Sequence, residues 1–268
     1  MRLRFKRIAL RLLPPIVIDA IRRIRGSGPA ADGTTTNDLA RNLTTDRKFW
    51  GLNDLDQKIE KYLNFDSGYY VELGANDGKL ASNTLYYERN RNWKGVLIEP
   101  APNLYLECRK NRSDRNSLVC AACVSFQYPD EFVKMIYSDS MSVSLNVESD
   151  IGDNVAHAEL GRQFLKPGED IFQFGALART LNSILIEAKA PALIDFLSLD
   201  VEGAEIEVLK GLNHDNFKFR FMLVECRDVG KLERYLKPLN YGLVEKFNDH
   251  DYMFALRNHR PVVVSRTP

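Results

Sequence analysis

The segment Val71-Glu72-Leu73-Gly74-Ala75-Asn76-Asp77-Gly78 constrains this chain more than any other. The aromatic pair Tyr69-Tyr70 before it reads as the start of a buried strand, and Lys79 to Arg89 after it reads as a helix. A second strand, Gly95-Val96-Leu97-Ile98, then ends on Glu99. Strand, glycine turn, helix, strand and terminal acid, in that order, describe the nucleoside-binding half of an open parallel sheet. The glycines let the backbone turn sharply and approach a ligand where a side chain would clash. Glu99 lies 21 residues beyond Gly78, where a carboxylate can accept hydrogen bonds from both ribose hydroxyls.

The spacing is Glu-x-Gly-x-x-x-Gly, not the Gly-x-Gly-x-x-Gly of dinucleotide sites. A dinucleotide needs its pyrophosphate close to a helix N-terminus, where free N–H groups favour anions. Here Asn76 takes the middle glycine position, and Glu72 opens the loop with negative charge. S-adenosylmethionine has no phosphate, and its methionine end carries an ammonium, which a carboxylate beside the loop suits. Asn76 and the missing third glycine therefore weigh against a nicotinamide-dependent oxidoreductase.

Four blocks carry a resemblance to FkbM-type methyltransferases, a family with the class I S-adenosylmethionine-dependent fold. The first runs from Gly68 to Gly78 and continues to Ser82-Asn83-Thr84; the second is Trp93-Lys94-Gly95-Val96-Leu97-Ile98-Glu99-Pro100. The third, Phe196-Leu197-Ser198-Leu199-Asp200-Val201-Glu202-Gly203-Ala204-Glu205, continues to Val208-Leu209-Lys210-Gly211, and the last is Met222-Leu223-Val224-Glu225. The third block is the most specific, since the first two suit other nucleoside-binding sheets. The resemblance spans roughly residues 52 to 257 and leaves the first fifty outside it. It implies methyl transfer to hydroxyls of sugars or small molecules, often in surface polysaccharide or glycolipid biosynthesis. It also implies Glu72, Gly74, Asn76, Gly78, Asn83 and Glu99 as cofactor-binding residues.

The strand pattern fits an α/β fold of that kind. Strands are expected at 69–73, 95–99, 117–124, 193–199 and 219–225, with helices between them. A hairpin follows at 241–247 and 251–257, turning on Asn248-Asp249-His250-Asp251. The result is a mostly parallel sheet with an antiparallel C-terminal hairpin. Leu52, Leu55, Ile59 and Leu63 recur at helical spacing ahead of it. Residues 126–180 are less regular and read as an insertion over the active site, where loops set specificity.

Ligands in open α/β sheets bind at the carboxyl ends of the strands. There the chain places Asp200 and Glu202 after the fourth strand and Glu225 at the end of the fifth. These are the candidate catalytic residues. One use is as general base toward an acceptor hydroxyl. The other is metal binding, with Asp200 and Glu225 as candidate ligands of Mg²⁺. No strictly spaced ligand set is visible, so the metal is the less favoured reading. Glu205 and Glu207 fit simple stabilisation of a helix N-terminus. His214 and His250, near strand ends or loops, are alternative bases, and Ser138 to Ser144 offers polar groups for an acceptor pocket.

Charge is unevenly spread. The 268-residue chain carries +1 overall, yet residues 1–25 hold eight basic residues against Asp19. That segment is +7 and the remainder −6. An acidic body is a poor nucleic-acid surface, so no nucleic-acid partner is expected. Ile16, Val17, Ala20, Ile21 and Ile24 share one helical face, with Arg22, Arg23 and Arg25 off it. Such a basic amphipathic helix suits the surface of an anionic membrane. Arg11 and Pro14-Pro15 interrupt the apolar stretch and exclude a membrane span. Residues 26–37, rich in Gly, Ser and Thr, read as a linker, which sets residues 1–37 apart from a catalytic domain at 38–268. The expected location is the cytoplasm, with this segment on the inner membrane face. The expected acceptor is a glycan or small molecule, on a lipid carrier if the segment docks there.

The four cysteines show no framework spacing, which fits a reducing compartment. Cys120 and Cys123 sit in an apolar run read as one strand, where residues three apart face opposite ways. They read as small buried hydrophobes. The rival from another class is a non-catalytic, membrane-associated scaffold that binds S-adenosylmethionine without turnover.

Overall fold

The computed structural model describes residues 48–257. The basic helix and the linker expected at residues 1–37, and the residues beyond 257, lie outside the described residues.

The chain forms two sheets. The larger is assembled from β1 (Tyr69–Leu73), β2 (Lys94–Ile98), β3 (Ser117–Val119), β8 (Leu193–Leu199), β9 (Lys218–Glu225), β10 (Tyr241–Lys246) and β11 (Asp251–Leu256). Its order is β10-β11-β9-β8-β1-β2-β3. Neighbours from β3 across to β9 pair in parallel, while β11 runs antiparallel between β9 and β10. The hairpin thus supplies the antiparallel element expected of it. The strand order reverses at β1, which lies between β2 and β8, and a crevice opens there at the carboxyl ends.

Parallel strands covered on both faces need apolar residues in succession rather than in alternation. On one face Val71, Leu73, Val96, Ile98, Leu197 and Leu199 pack with Leu181 and Leu185 of α5 (Leu181–Glu187). Val208 of α6 (Glu205–Lys210) and Leu232 of α7 (Val229–Leu236) join the same cluster. On the other face Tyr70, Leu97 and Phe196 meet Leu55 of α1 (Leu55–Lys58), Tyr87 of α2 (Leu85–Asn90), and Trp93. Cys108 of α3 (Pro102–Asn111) belongs to this second cluster.

Two expectations change. The helix expected from Lys79 begins only at Leu85. Asp77 Oδ1 takes the N–H groups of Lys79 and Leu80, and Ser82, Asn83 and Thr84 all bond to Glu72. Those polar groups therefore hold the chain in a loop, which competes with helix formation. The strand expected at 117–124 is also two elements. β3 stops at Val119, and β4 (Ala122–Cys123) pairs with β7 (Phe172–Arg179) in the second sheet. Cys120 therefore lies between the two strands and Cys123 in β4, and both are free thiols that are partly rather than fully buried.

The irregular region 126–180 is that second sheet, with order β4-β7-β5-β6. It contains β5 (Phe132–Tyr137) and β6 (Val143–Ser144), with α4 (Asn154–Gly161) packed beside them. Val133 and Met135 on β5 point into the crevice at the carboxyl ends of the larger sheet. No helix among the described residues is long and apolar enough to cross a membrane.

Candidate active site

The loop after β1 is laid between the ends of β2 and β8. The N–H groups of Gly74 and Ala75 both donate to Ile98 O at 3.1 Å, and Asp200 N donates to Leu73 O at 3.3 Å. Gly74 has φ +75°, and a Cβ there would lie 1.9 Å from Asp200 O. Only glycine permits both the turn and this approach. Gly78, with φ +77°, plays a different part from the one expected. It does not line the pocket; a Cβ there would meet Cys108 Sγ at 2.7 Å and Arg112 Cγ at 2.8 Å. Its role is to seat the loop on α3.

Glu72 departs from expectation as well. Its carboxylate lies at the pocket floor, but its oxygens accept from Ser82 Oγ, Asn83 N, Thr84 Oγ1 and Arg112. It organises the loop from beneath, so the ammonium expected to meet it finds that charge already engaged. Arg112, which the sequence reading passed over, is the hub of this arrangement. Its side chain is fully buried and donates to Glu72, to Glu88 at 2.7 Å, to the Tyr70 hydroxyl and to Gly78 O. A single Arg at the end of a helix carries no sequence signal of such a role.

Glu99 stands at the end of β2 as expected. Its two oxygens accept from Asn76 N at 2.8 Å and Ala101 N at 2.9 Å. Burial raises its carboxyl to about 7, with the charges of Asp139 and Asp77 adding to the effect. Asn76 also donates from Nδ2 to Asp139 Oδ1 at 3.2 Å. Asn83 donates from Nδ2 to Ser198 Oγ at 3.1 Å, while its buried Oδ1 has no partner among the described residues. Gly74, Asn76, Asn83 and Glu99 all line the pocket.

At the other end, Asp200, Glu202 and Glu225 come together with Asp251. Asp200 and Glu225 each follow directly on the Leu199–Val224 pair, and Asp251 faces Glu225 across β11. Asp200 is exposed where it lines the pocket, and partial loss of water in the crevice, with the neighbouring charges of Glu202 and Asp251, pushes it up to about 7. Burial beside Asp200 and Glu202 pushes Glu225 well above the usual carboxylate range. Of the two, Glu225 has the more strongly favoured neutral form, and its hydrogen bond with Asp200 holds Asp200 lower than loss of water and charge alone would. Asp251 entered the sequence reading only as a turn residue.

Glu202 is engaged otherwise. Its backbone is left-handed, at φ +54°. Oε2 lies 2.9 Å from His157 Nε2 and 2.9 Å from the Arg227 guanidinium. Burial alone would raise its carboxyl, but His157 and Arg227 hold it below the usual range. It ties the β8 end to α4 of the insertion. No group of three or more His, Cys, Asp or Glu among the described residues is placed to hold a metal ion. Glu205 caps its own helix, accepting from the N–H groups of Val201 and Gly203, and Glu207 pairs with Lys210. His214 bonds to Leu209 O and Tyr235, and His250 is buried; neither lines the pocket. Ser140, Ser142 and Ser144 of the Ser138–Ser144 run do line it.

The FkbM methyltransferase domain matches residues 72–258, well over half of the chain. The chain belongs to the FkbM methyltransferase family. Its members are S-adenosylmethionine-dependent methyltransferases, as the four sequence blocks imply. No curated protein matches the chain closely enough to stand as a relative. Among solved structures, this FkbM protein is similar to M. capricolum TrmK in complex with S-adenosylhomocysteine, at 10% identity and TM-score 0.37. The match covers 75% of this chain and 65% of that one, so the chain spans slightly less than two thirds of its length. It is also similar to precorrin-6y C5,15-methyltransferase from Geobacter metallireducens GS-15, at 10% identity and TM-score 0.40, covering 84% and 98%. A third likeness is to the methyltransferase domain of METTL16, at 11% identity and TM-score 0.41, covering 76% and 66%.

Proposed function

We propose that this protein is an S-adenosylmethionine-dependent O-methyltransferase acting on an uncharged hydroxyl of a sugar or similar polyol. One observation carries the reading. The pocket lining contains Glu99, Asp139, Asp200 and Asp251, beside Glu72 and Glu202 whose charges are already paired from outside it, and among the described residues it contains no Lys, Arg or His. Such a wall favours a sulfonium and an ammonium and repels the pyrophosphate of a dinucleotide or a phosphorylated acceptor.

The residues present fit the methyl donor. Gly74 leaves the space a side chain would fill, Asn83 Oδ1 is buried without a donor, and each Glu99 oxygen keeps a lone pair after its backbone bond. S-adenosylmethionine, when bound, supplies a methyl group already activated by its positive sulfur. Glu99 binds the ribose hydroxyls, Asn76 holds Glu99 through its N–H, and Asn83 stands on the loop beside Ser198, toward the methionine end. Asp200 takes the proton of the acceptor hydroxyl, and Glu225, hydrogen-bonded to it, fixes its orientation. Ser144 Oγ and Glu225 Oε1 are buried with no partner among the described residues, so a polyhydroxyl acceptor satisfies both. This chemistry needs no metal, and activity in EDTA is expected to be unchanged.

The wider role we infer is in surface polysaccharide or glycolipid synthesis at the cytoplasmic membrane face. Its support is the +7 of residues 1–25 and their apolar helical face. The test is label transfer from methyl-tritiated S-adenosylmethionine to glycans extracted from the host membrane. A base-stable methyl ether on a glycan that passes through an anion exchanger is expected. A base-labile methyl ester, label retained on the exchanger, or no transfer at all sinks the proposal.

A further inference from the structure

We infer that Asp139, carried by the insertion rather than by the main sheet, reads the exocyclic amino group of the cofactor's adenine. The inference rests on the methyl-donor reading above and deepens it.

The two ends of the pocket hold separate groups of carboxylates. Asp139 belongs with Glu99. Asn76 bridges them, giving its backbone N–H to Glu99 and its side-chain amide to Asp139. The strand that delivers Asp139 is seated on the same spot. Tyr137, two residues earlier, packs on Ala101 and Leu104, and its hydroxyl accepts from Asn103 Nδ2 at 2.9 Å. These residues open α3, directly after Glu99. Asp139 therefore hangs over the connection between β2 and α3, away from Asp200 and Glu225.

Asp139 is held in a strained shape that presents it there. Its backbone is left-handed at φ +51°, a conformation few non-glycine residues adopt. The residue is only 5% exposed, yet it lines the pocket. Oδ1 accepts from both Asn76 and Ser140, and Oδ2 receives no hydrogen bond among the described residues.

The donors of adenosine match this layout. One carboxylate spans the two vicinal ribose hydroxyls, and Glu99 keeps a lone pair on each oxygen for them. The remaining donor of the nucleoside is the amino group on the purine. Ile98 and Pro100 on either side of Glu99, with Ala121 and Ala122 after β3, line the pocket with apolar surface that suits a flat base. Asp139 supplies the acceptor that this surface lacks. A buried acceptor discriminates strongly against a ligand that cannot donate to it, because the mismatch leaves polar groups unpaired.

The experiment is calorimetric binding of S-adenosylhomocysteine and S-inosylhomocysteine to the full chain; in the second ligand a carbonyl replaces the amino group. The wild type is expected to favour the adenine ligand by about tenfold or more. Asp139→Asn, which keeps the shape, and Asp139→Ala are expected to bind the two ligands within about twofold of each other. Glu99→Ala should weaken both while leaving their ratio intact. Thermal unfolding checks that each variant is folded, and the wild-type ratio needs no variant. Equal binding of the two ligands by the wild type, or an undiminished ratio in either folded Asp139 variant, overturns the assignment to Asp139. Absence of S-adenosylhomocysteine binding by the wild type overturns the methyl-donor reading as well, so the two failures are told apart.

Discussion

Asp200 and Glu225 stand at the ends of neighbouring parallel strands, one residue past the Leu199–Val224 pair, and both carboxyls are raised above the usual range. Neither side chain reaches this state alone. Loss of water raises both; the charge of Asp200 raises Glu225 further, while Glu202 and Asp251 raise Asp200 and the hydrogen bond with Glu225 lowers it.

The pair sets a pH profile. Asp200 acts as a base only when ionised, and its carboxyl titrates at about 7. Turnover should fall as pH drops through about 7 and level off above it. Asp200→Asn should abolish most turnover while leaving S-adenosylhomocysteine affinity unchanged. A group whose pKa is raised in the folded state stabilises below its unfolded pKa, and that contribution is lost as pH rises through the folded value. Asp200→Asn should therefore raise the melting temperature at pH 8, by about 2–4 °C for each kcal/mol gained. A flat rate profile between pH 6 and 8 would remove Asp200 as the base.

Glu99 couples binding to pH in the same direction. Its carboxyl is raised to about 7, and only the ionised form accepts freely from two hydroxyls. Affinity for S-adenosylhomocysteine should weaken as pH falls below about 7. Glu99→Ala should cost about 1.5–3 kcal/mol of binding by calorimetry at pH 8. Unchanged affinity would take Glu99 out of the site.

Gly74 and Gly78 should fail differently. Gly74→Ala meets Asp200 O and imposes a left-handed alanine, worth about 1–2 kcal/mol of strain on its own. It should displace Asp200 and cost turnover beyond its effect on stability. Gly78→Ala presses on Cys108 and Arg112, so its loss should appear mainly in urea unfolding. Equal ratios of turnover loss to stability loss in the two variants would contradict this division.

Arg112 is the buried hub that ties Glu72, Glu88, Tyr70 and Gly78 together. Arg112→Met leaves Glu72 and Glu88 buried without their cation, which should cost about 3–5 kcal/mol in denaturant unfolding. Arg112→Lys should recover little, because an ammonium lacks the fork that reaches Glu72, Glu88, Tyr70 and Gly78 at once. A loss below about 1 kcal/mol in the Lys variant would show that charge alone suffices.

Residues 1–25 should bind anionic vesicles, release them as salt shortens the screening length, and ignore neutral ones. Removing residues 1–30 should leave S-adenosylhomocysteine binding intact, since the glycine loop and Glu99 lie in the body. Equal vesicle binding by the full and shortened chains would end the membrane reading.

The sequence by itself determined the sheet and where its ligand crevice opens. Runs of Val, Leu and Ile in β1, β2, β8 and β9 require burial on both faces, and their spacing leaves only helices to cover them. It also placed Glu99, Asp200 and Glu225, because a strand end is fixed once its strand is. Only the tertiary structure decided which carboxylates are spoken for. Glu72 and Glu202 look as available as Glu99 and Asp200 along the chain, yet Arg112 reaches the first from 40 residues away, and Arg227 and His157 reach the second. Asp251 was hidden for the same reason, as a turn residue whose partner lies in another element, and Asp139, offered with its serine run for the acceptor pocket, stands instead beside Asn76 and Glu99. Local pattern fixes where a side chain leaves the backbone. Its charge state and its freedom to act depend on neighbours brought together by packing, and no spacing rule records those.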